Sequence, residues 1–368
     1  MLVGSGKLPS RPEITCLLTR LRPLDAYMGN RVSLRDIAKQ AKVHFTTVGL
    51  ALRHDPRVSP ETAERIMRVA RELGYTHDAM LSALSAYRHR NVQRHAGVIA
   101  CIVTYQPAEL ETNVTERQLI SGITRQAHDF GFGVESFQIN APGMTPGRLN
   151  RMLIARGIRG LILTPRLPQP GPMPELDWSQ FSTVAIGYSI TGLQVHRACS
   201  HHGHNIRLAL RELRAHGYRR VGLVFPMEIF ERTSGMVLGT FLAEQFLLPR
   251  ADRVEPLIEQ DVTKAKLGRW LKAERVDCVI LTAYPLEMTN WIRELGYRIP
   301  EDLGVCLGQL FGKTEGFAGI DNQTHLLGEA AASFMVSLLQ KNERGLPAYP
   351  LTISVEGRWV ERPTVRQV

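Results

Sequence analysis

Four stretches of the 368-residue chain hold residue types able to do chemistry. His201, His202 and His204 present three imidazoles within four residues, a spacing suited to metal ligation. No cysteine or acidic partner lies beside them, so they read as the polar entrance to a helix, and no metal site is expected. Gly308-Gln309-Leu310-Phe311-Gly312-Lys313-Thr314 has the look of a phosphate-cradling loop. It is one residue short between its glycines and does not clearly open a helix, so nucleotide binding is not expected. Gly4-Ser5-Gly6-Lys7 lacks the first glycine of the same pattern. No nucleophile, base and acid converge on a strand end, so neither an enzyme nor a cofactor site is expected. The fourth stretch, Arg31 to Arg94, carries twelve Lys or Arg against six Asp or Glu, and so holds +6 of the net charge of +10. Such a basic segment suits a polyanion, and contacts to DNA phosphates supply most non-specific DNA affinity.

The elements that would position these charges can be read from spacing. Leu34, Ile37, Ala38 and Ala41 recur with helical period, Lys42 and Val43 break the run, and Val48, Ala51 and Leu52 give a second short helix its buried face. Two short helices joined by a tight turn hold the second proud of the body, where it fits the major groove. Ser59 can cap a third helix, Pro60 suits its first position and Glu61 favours its positive end. Ile66, Val69, Ala70 and Leu73 form its stripe, and Gly74 is a stop signal.

From Gly97 onward, apolar runs of about five residues alternate with amphipathic helices. The runs include Gly97–Tyr105, Val221–Phe225 and the segments TVAIG, DCVILT, GVCLG and TISVEG. Helices are expected near Glu116–Phe130, Pro146–Arg156, Asn205–His216, Ser234–Phe246, Leu286–Leu295 and His325–Gln340. This pattern predicts parallel strands with right-handed crossovers, too many for one sheet, hence two lobes with a cleft at the carboxyl ends of the strands. The five cysteines are scattered, with no Cys-x-x-Cys pair. Reduced thiols and a cytoplasmic chain are expected, with no membrane span and no signal peptide. Residues 1–30 are read as a disordered arm or as sequence upstream of a true start at Met28.

The first of these regions resembles the lac-repressor (LacI) family of bacterial transcription regulators. Leu34, Asp36, Ile37 and Ala38 match the family's opening pattern. Val43, Thr47, Val48, Ala51 and Leu52 match its second helix. Arg57, Val58, Ser59, Glu61, Thr62, Leu73, Gly74 and Tyr75 match the run that closes it. In the body, Gly217–Gly222 and Leu295–Val305 are similar to family signatures, so the resemblance covers residues 31 to about 363. It implies an N-terminal all-α helix-turn-helix domain plus an α/β two-lobed effector domain like that of periplasmic binding proteins. The boundaries expected are 31–77 for DNA binding, 78–94 for hinge helix and linker, and 95–368 for effector binding and dimerisation.

The resemblance implies double-stranded operator DNA, a small-molecule effector, possibly a carbohydrate, and a homodimer as partners. It implies DNA contacts at Leu34, His44, Phe45, Thr46, Thr47, Leu50, Arg53 and Arg57. In the hinge, Leu84 stands where the family's leucine wedges between base steps. Leu50 replaces a common Arg and cannot make a bidentate contact to guanine, so readout should lean on thymine methyls and shape. A dimer and not a tetramer is expected, because ERPTVRQV has no heptad pattern. The cleft departs from sugar-binding members of the family. Met236 replaces their Arg, Ala283 and Tyr284 replace Asn-Asp, Leu310 ends the stretch where Gly-Phe-Asp-Asp is usual, and His201-His202 replace Asp-Asn. Buried hydroxyls need fixed polar partners. The cleft therefore either uses other groups, among Tyr105, Arg166, Tyr188, Met236, Tyr284 and Gln309, or takes a different ligand. The competing class is a stand-alone solute-binding protein with a degenerate helical arm.

Overall fold

The computed structural model describes residues 34–52, 55, 57–73, 97–104, 113–165, 170–173, 175–312 and 314–367. Two compact units divide the chain, one within residues 1–77 and one within 78–368. The expected arm, the hinge segment and the individual residues Arg53, Leu84, Tyr105 and Arg166 lie outside the described residues.

The first unit contains α1 (Leu34–Ala41), α2 (Phe45–Ala51) and α3 (Pro60–Glu72). Ile37, Ala38, Ala41, Val48, Ala51, Ile66, Val69 and Ala70 form its core, with Leu34, Val43, Leu52 and Leu73 packed around it. Lys42 takes a left-handed conformation (φ 53°) in the turn between α1 and α2. Ser59 precedes Pro60 at the start of α3 but makes no capping bond to the backbone; its hydroxyl pairs with Thr62 Oγ1 at 2.9 Å. The expected side-chain cap is thus replaced by a bond between two hydroxyls.

The second unit opens with β1 (Gly97–Val103), α4 (Val114–Asp129), β2 (Phe132–Gln138), α5 (Pro146–Ala155) and β3 (Gly160–Leu163). It continues with β4 (Gly171–Pro172), β5 (Ser182–Ile186), β6 (Ile190–Thr191) and β7 (His196–Ser200). The chain then crosses to α6 (His202–Ala215), β8 (Val221–Pro226), α7 (Glu228–Arg232), α8 (Met236–Phe246) and β9 (Leu257–Glu259). There follow α9 (Lys264–Glu274), β10 (Cys278–Leu281), α10 (Pro285–Glu294), β11 (Gly304–Leu307) and β12 (Ala318–Asp321). It returns through α11 (Thr324–Gln340) and β13 (Thr352–Val355) and crosses once more to β14 (Arg358–Val360).

These strands make two six-stranded sheets, ordered β13-β7-β5-β3-β1-β2 and β14-β12-β11-β10-β8-β9. The first is parallel throughout. In the second only β14 runs antiparallel, against β12. Apolar clusters cover both faces of each sheet, which is why strands such as Cys278–Leu281 are apolar without alternation. Sequence periodicity misses β7, β9, β12 and α9, because these are short or rich in charged residues. It also misses β14, which runs antiparallel.

Two glycines decide how the first lobe packs. A Cβ at Gly122 on α4 would overlap the His325 carbonyl, and one at Gly328 on α11 would overlap the Leu119 carbonyl. The two helices therefore touch backbone to backbone.

Candidate functional sites

On the first unit, α2 presents Phe45, Thr46, Gly49 and Leu50 outward while Val48 and Ala51 face the core. His44 precedes the helix in an extended conformation. Its Nδ1 accepts from the Thr46 amide at 3.5 Å and lies 2.8 Å from Thr46 Oγ1. The imidazole also meets the Phe45 ring at 4.4 Å between centroids, and the Arg35 guanidinium lies 5.9 Å from that ring. Phe45 is thus propped between two neighbours although 43 % of it is exposed. Thr46 and Leu50, one turn apart, share the outward face, with Thr47 and Leu50 half-buried.

Arg57 stands after α2 with its guanidinium paired to Asp55 at 2.8 and 2.9 Å. Its side chain stays largely exposed. Leu34 packs against the core at the start of α1, so its placement is structural. An α2 face of aromatic, hydroxyl and aliphatic groups, beside Arg35 and Arg57, suits contacts with thymine methyls and phosphates.

On the second unit, a cavity of about 550 Å³ is lined from both lobes. Asn113, Val114 and Thr115 come from the start of α4. Tyr284, Pro285, Leu286 and Glu287 come from the start of α10, and Phe311, Gly312 and Thr314 from the loop after β11. Asn113 caps α4 by accepting from the Glu116 amide at 3.1 Å. Tyr284 takes φ +47° before Pro285 and donates its hydroxyl to Glu228 Oε1 at 2.5 Å. That bond raises the phenol's pKa, with desolvation and the neighbouring carboxylates adding to it. The phosphate-loop-like stretch therefore forms part of the cavity wall. Its Thr314 hydroxyl accepts from the Phe311 amide at 2.9 Å, and the stretch opens no helix.

Three chain segments cross between the lobes and are stitched together by amides. Asn205 donates from Nδ2 to Asn322 Oδ1 at 2.8 Å and accepts from the Gly357 amide at 2.8 Å. Gln323 donates to the Glu356 carbonyl at 2.8 Å. His201 caps α6 by accepting from the His204 amide at 3.1 Å, while His204 lies 3.5 Å from Glu356. The histidines thus serve the crossover, and no group of three possible metal ligands occurs among the described residues.

Of the described residues expected in the cleft, the structure brings Tyr284 to the cavity. Gln309 is half-buried two residues before Phe311, and Met236 is half-buried at the start of α8; neither lines the cavity. Tyr188 is also placed off the lining. The Arg197 guanidinium lies 5.7 Å from its ring centroid, and its hydroxyl engages Cys199 and Thr352. Burial pushes that phenol up to about 12. Asn113, Thr115 and Phe311 are wall residues that sequence reading misses. Asn113 alone carried a local signal, as a cap before an amphipathic run.

Comparison with known proteins follows the same division. Residues 33–78 match the family described as "Bacterial regulatory proteins, lacI family". No curated protein sequence matches the chain. A transcriptional regulator CelR–cellobiose complex is 18 % identical, covers 91 % of this chain and 100 % of its own, and has a TM-score of 0.52. The lac repressor dimer bound to operator and the anti-inducer ONPF is 16 % identical, with coverage of 91 % and 99 % and a TM-score of 0.51. A putative LacI-family regulator from Rhizobium etli is 19 % identical over 73 % of this chain and 99 % of its own, with a TM-score of 0.54. Residues 33–78 thus match the lacI family of bacterial regulatory proteins as a helix-turn-helix domain, and the body shares the two-lobed α/β fold of these solved structures.

Proposed function

We propose that this chain is a sequence-specific transcription regulator, acting as a repressor, whose affinity for its operator is set by a small molecule held between the lobes of the body. The carrying observation is the outward face of α2, where Phe45, Thr46 and Leu50 stand clear of an intact three-helix core. A solute-binding protein with a degenerate arm would have no reason to keep that core packed. Residues 33–78 match a family of regulators and not of enzymes. Among the described residues no helix is long and apolar enough to cross a membrane.

Coupling follows from geometry. The cavity walls belong to both lobes, so a ligand that fits one lobe arrangement better shifts the population towards it. If DNA binding favours one arrangement, the ligand alters DNA affinity by the same factor that DNA alters ligand affinity. Leu84 is assigned the base-step wedge on resemblance, and Arg53 a place beside the recognition helix. Gel shifts of genomic fragments, with and without sugars, amines and carboxylic acids, test this reading. A retained fragment whose affinity moves with a ligand supports it; no retained fragment contradicts it.

One helix-turn-helix reads a half-site, and a two-fold operator calls for a two-fold protein. A dimer is expected, as in the lac repressor structure. Sedimentation equilibrium at micromolar concentration should give twice the 41.2 kDa chain mass. A predominant mass of one or four chains would contradict this.

A further inference from the structure

A second cavity, of about 250 Å³, opens at the amino ends of the strands of the first lobe. Gly97, Phe132, Gly160 and Ser182, the first residues of β1, β2, β3 and β5, are all in its wall. The cleft lined by Tyr284 and Phe311 lies past the opposite, carboxyl ends of such strands. The two sites therefore stand apart by roughly the seven-residue length of β1, about 20 Å.

Arg159 and Arg344, far apart in the chain, line this cavity together, and Ser182 ties both of their backbones. The Ser182 amide donates to the Arg159 carbonyl at 2.8 Å, and its hydroxyl donates to the Glu343 carbonyl at 2.5 Å. On the other side of Arg344, the Gly345 amide donates to the Phe181 carbonyl at 3.0 Å. Arg159 and Gln340, both lining, have no side-chain hydrogen bond or ion pair among the described residues, whereas Arg344 is already engaged. No Asp or Glu is among the described lining residues. The nearby Glu343 carboxylate is taken by His196 Nε2 at 3.0 Å. Residues 79–96, which lead into Gly97, hold three Arg and two His and no acid, so they add no negative charge. The carboxyl end of α11 also reaches the cavity, but the Ser337, Leu338 and Leu339 carbonyls already accept from the amides of Lys341, Glu343 and Asn342. A recess walled by one sign of charge concentrates the opposite sign.

We propose that this cavity binds a small phosphomonoester, separately from any ligand in the cleft. Arg159 makes the bidentate contact to the phosphate, Gln340 donates to it, and Arg344 adds charge. The organic part of the ester lies against Phe132 and Leu339, which supply apolar wall. A phosphate offers three acceptor oxygens and nearly two charges, which suits two guanidinium groups and an amide better than a carboxylate does.

Calorimetric titration of the full chain in phosphate-free buffer, with phenyl phosphate and ribose 5-phosphate against phenol and ribose, tests the assignment. At least one ester should bind about tenfold or more tightly than its uncharged counterpart. Arg159→Gln should weaken that ester by about tenfold, and Arg159→Lys should fall short of the parent because it keeps the charge but loses the fork. Arg159 is exposed, so its variants should unfold at the parent's midpoint, which a thermal scan checks. Three results would each overturn the assignment. They are no ester bound at roughly 10 mM, uncharged counterparts bound as tightly as the esters, and an ester affinity unchanged in Arg159→Gln, because the anion then sits elsewhere on this basic chain. Gel shifts distinguish a DNA backbone as the source of the phosphate. If Arg159→Gln lowers DNA affinity and its salt dependence while no ester binds, the arginines serve DNA and the assignment fails.

Discussion

Valine in place of Gly122 should lower the stability of the second unit by about 3 kcal/mol, the upper end for forcing extra volume into a packed site. A Cβ there overlaps a backbone carbonyl of α11, which no rotamer change can relieve. To admit it, α4 and α11 must separate. Leu327, Ala331 and Met335 would then withdraw from the core they share with β1 and β3. For a unit of this size the unfolding midpoint should fall by roughly 5–10 °C in a calorimetric scan. A midpoint within a degree of the parent's would mean that the helices do not meet through their glycines.

Between pH 4.5 and pH 7 the parent chain should lose stability relative to Glu116→Gln. Burial pushes the Glu116 carboxyl up from 4.5 to about 7, against the smaller opposing effect of the Thr164 hydroxyl. Within that window the folded chain keeps a proton that the unfolded chain has released. The Glu116 contribution therefore falls as pH rises. His202, whose pKa burial lowers from 6.5 to about 4, adds stability over the same range in parent and variant alike. The Glu116 difference is on the order of 3 kcal/mol once both forms are ionised. Urea unfolding at pH 5 and pH 7.5 measures it. Parent and variant curves that shift in parallel between the two pH values would contradict the burial of an unpaired carboxylate.

What the sequence discloses depends on how far apart the cooperating residues are. Ile37, Val48 and Ile66 are readable as core because each helix buries a stripe set by its own period. The apolar runs at Val221–Phe225 and Cys278–Leu281 are readable as buried strands for the same local reason. Convergence between distant segments has no such signature. Nothing near Val114 indicates that Phe311 will face it across a cavity, and nothing near Gly122 indicates the His325 carbonyl. Tyr188 misleads because a strand-end tyrosine can point to the cleft or pack against its own sheet, and Arg197 with Thr352 draws it to the sheet. Glu116 misleads most. In the sequence it is an ordinary acid in the first turn of a helix, and only the fold buries it.

Selection from random double-stranded DNA by the full chain bears most directly on the claim that α2 reads sequence. Retained pools should converge on two half-sites in inverted repeat, rich in thymine where Phe45 and Leu50 meet the major groove. Leu50→Arg should move the preference towards guanine at one position of each half-site. A retained pool no different in sequence from the input, or one that shows no inverted repeat, would contradict a two-fold, sequence-specific regulator.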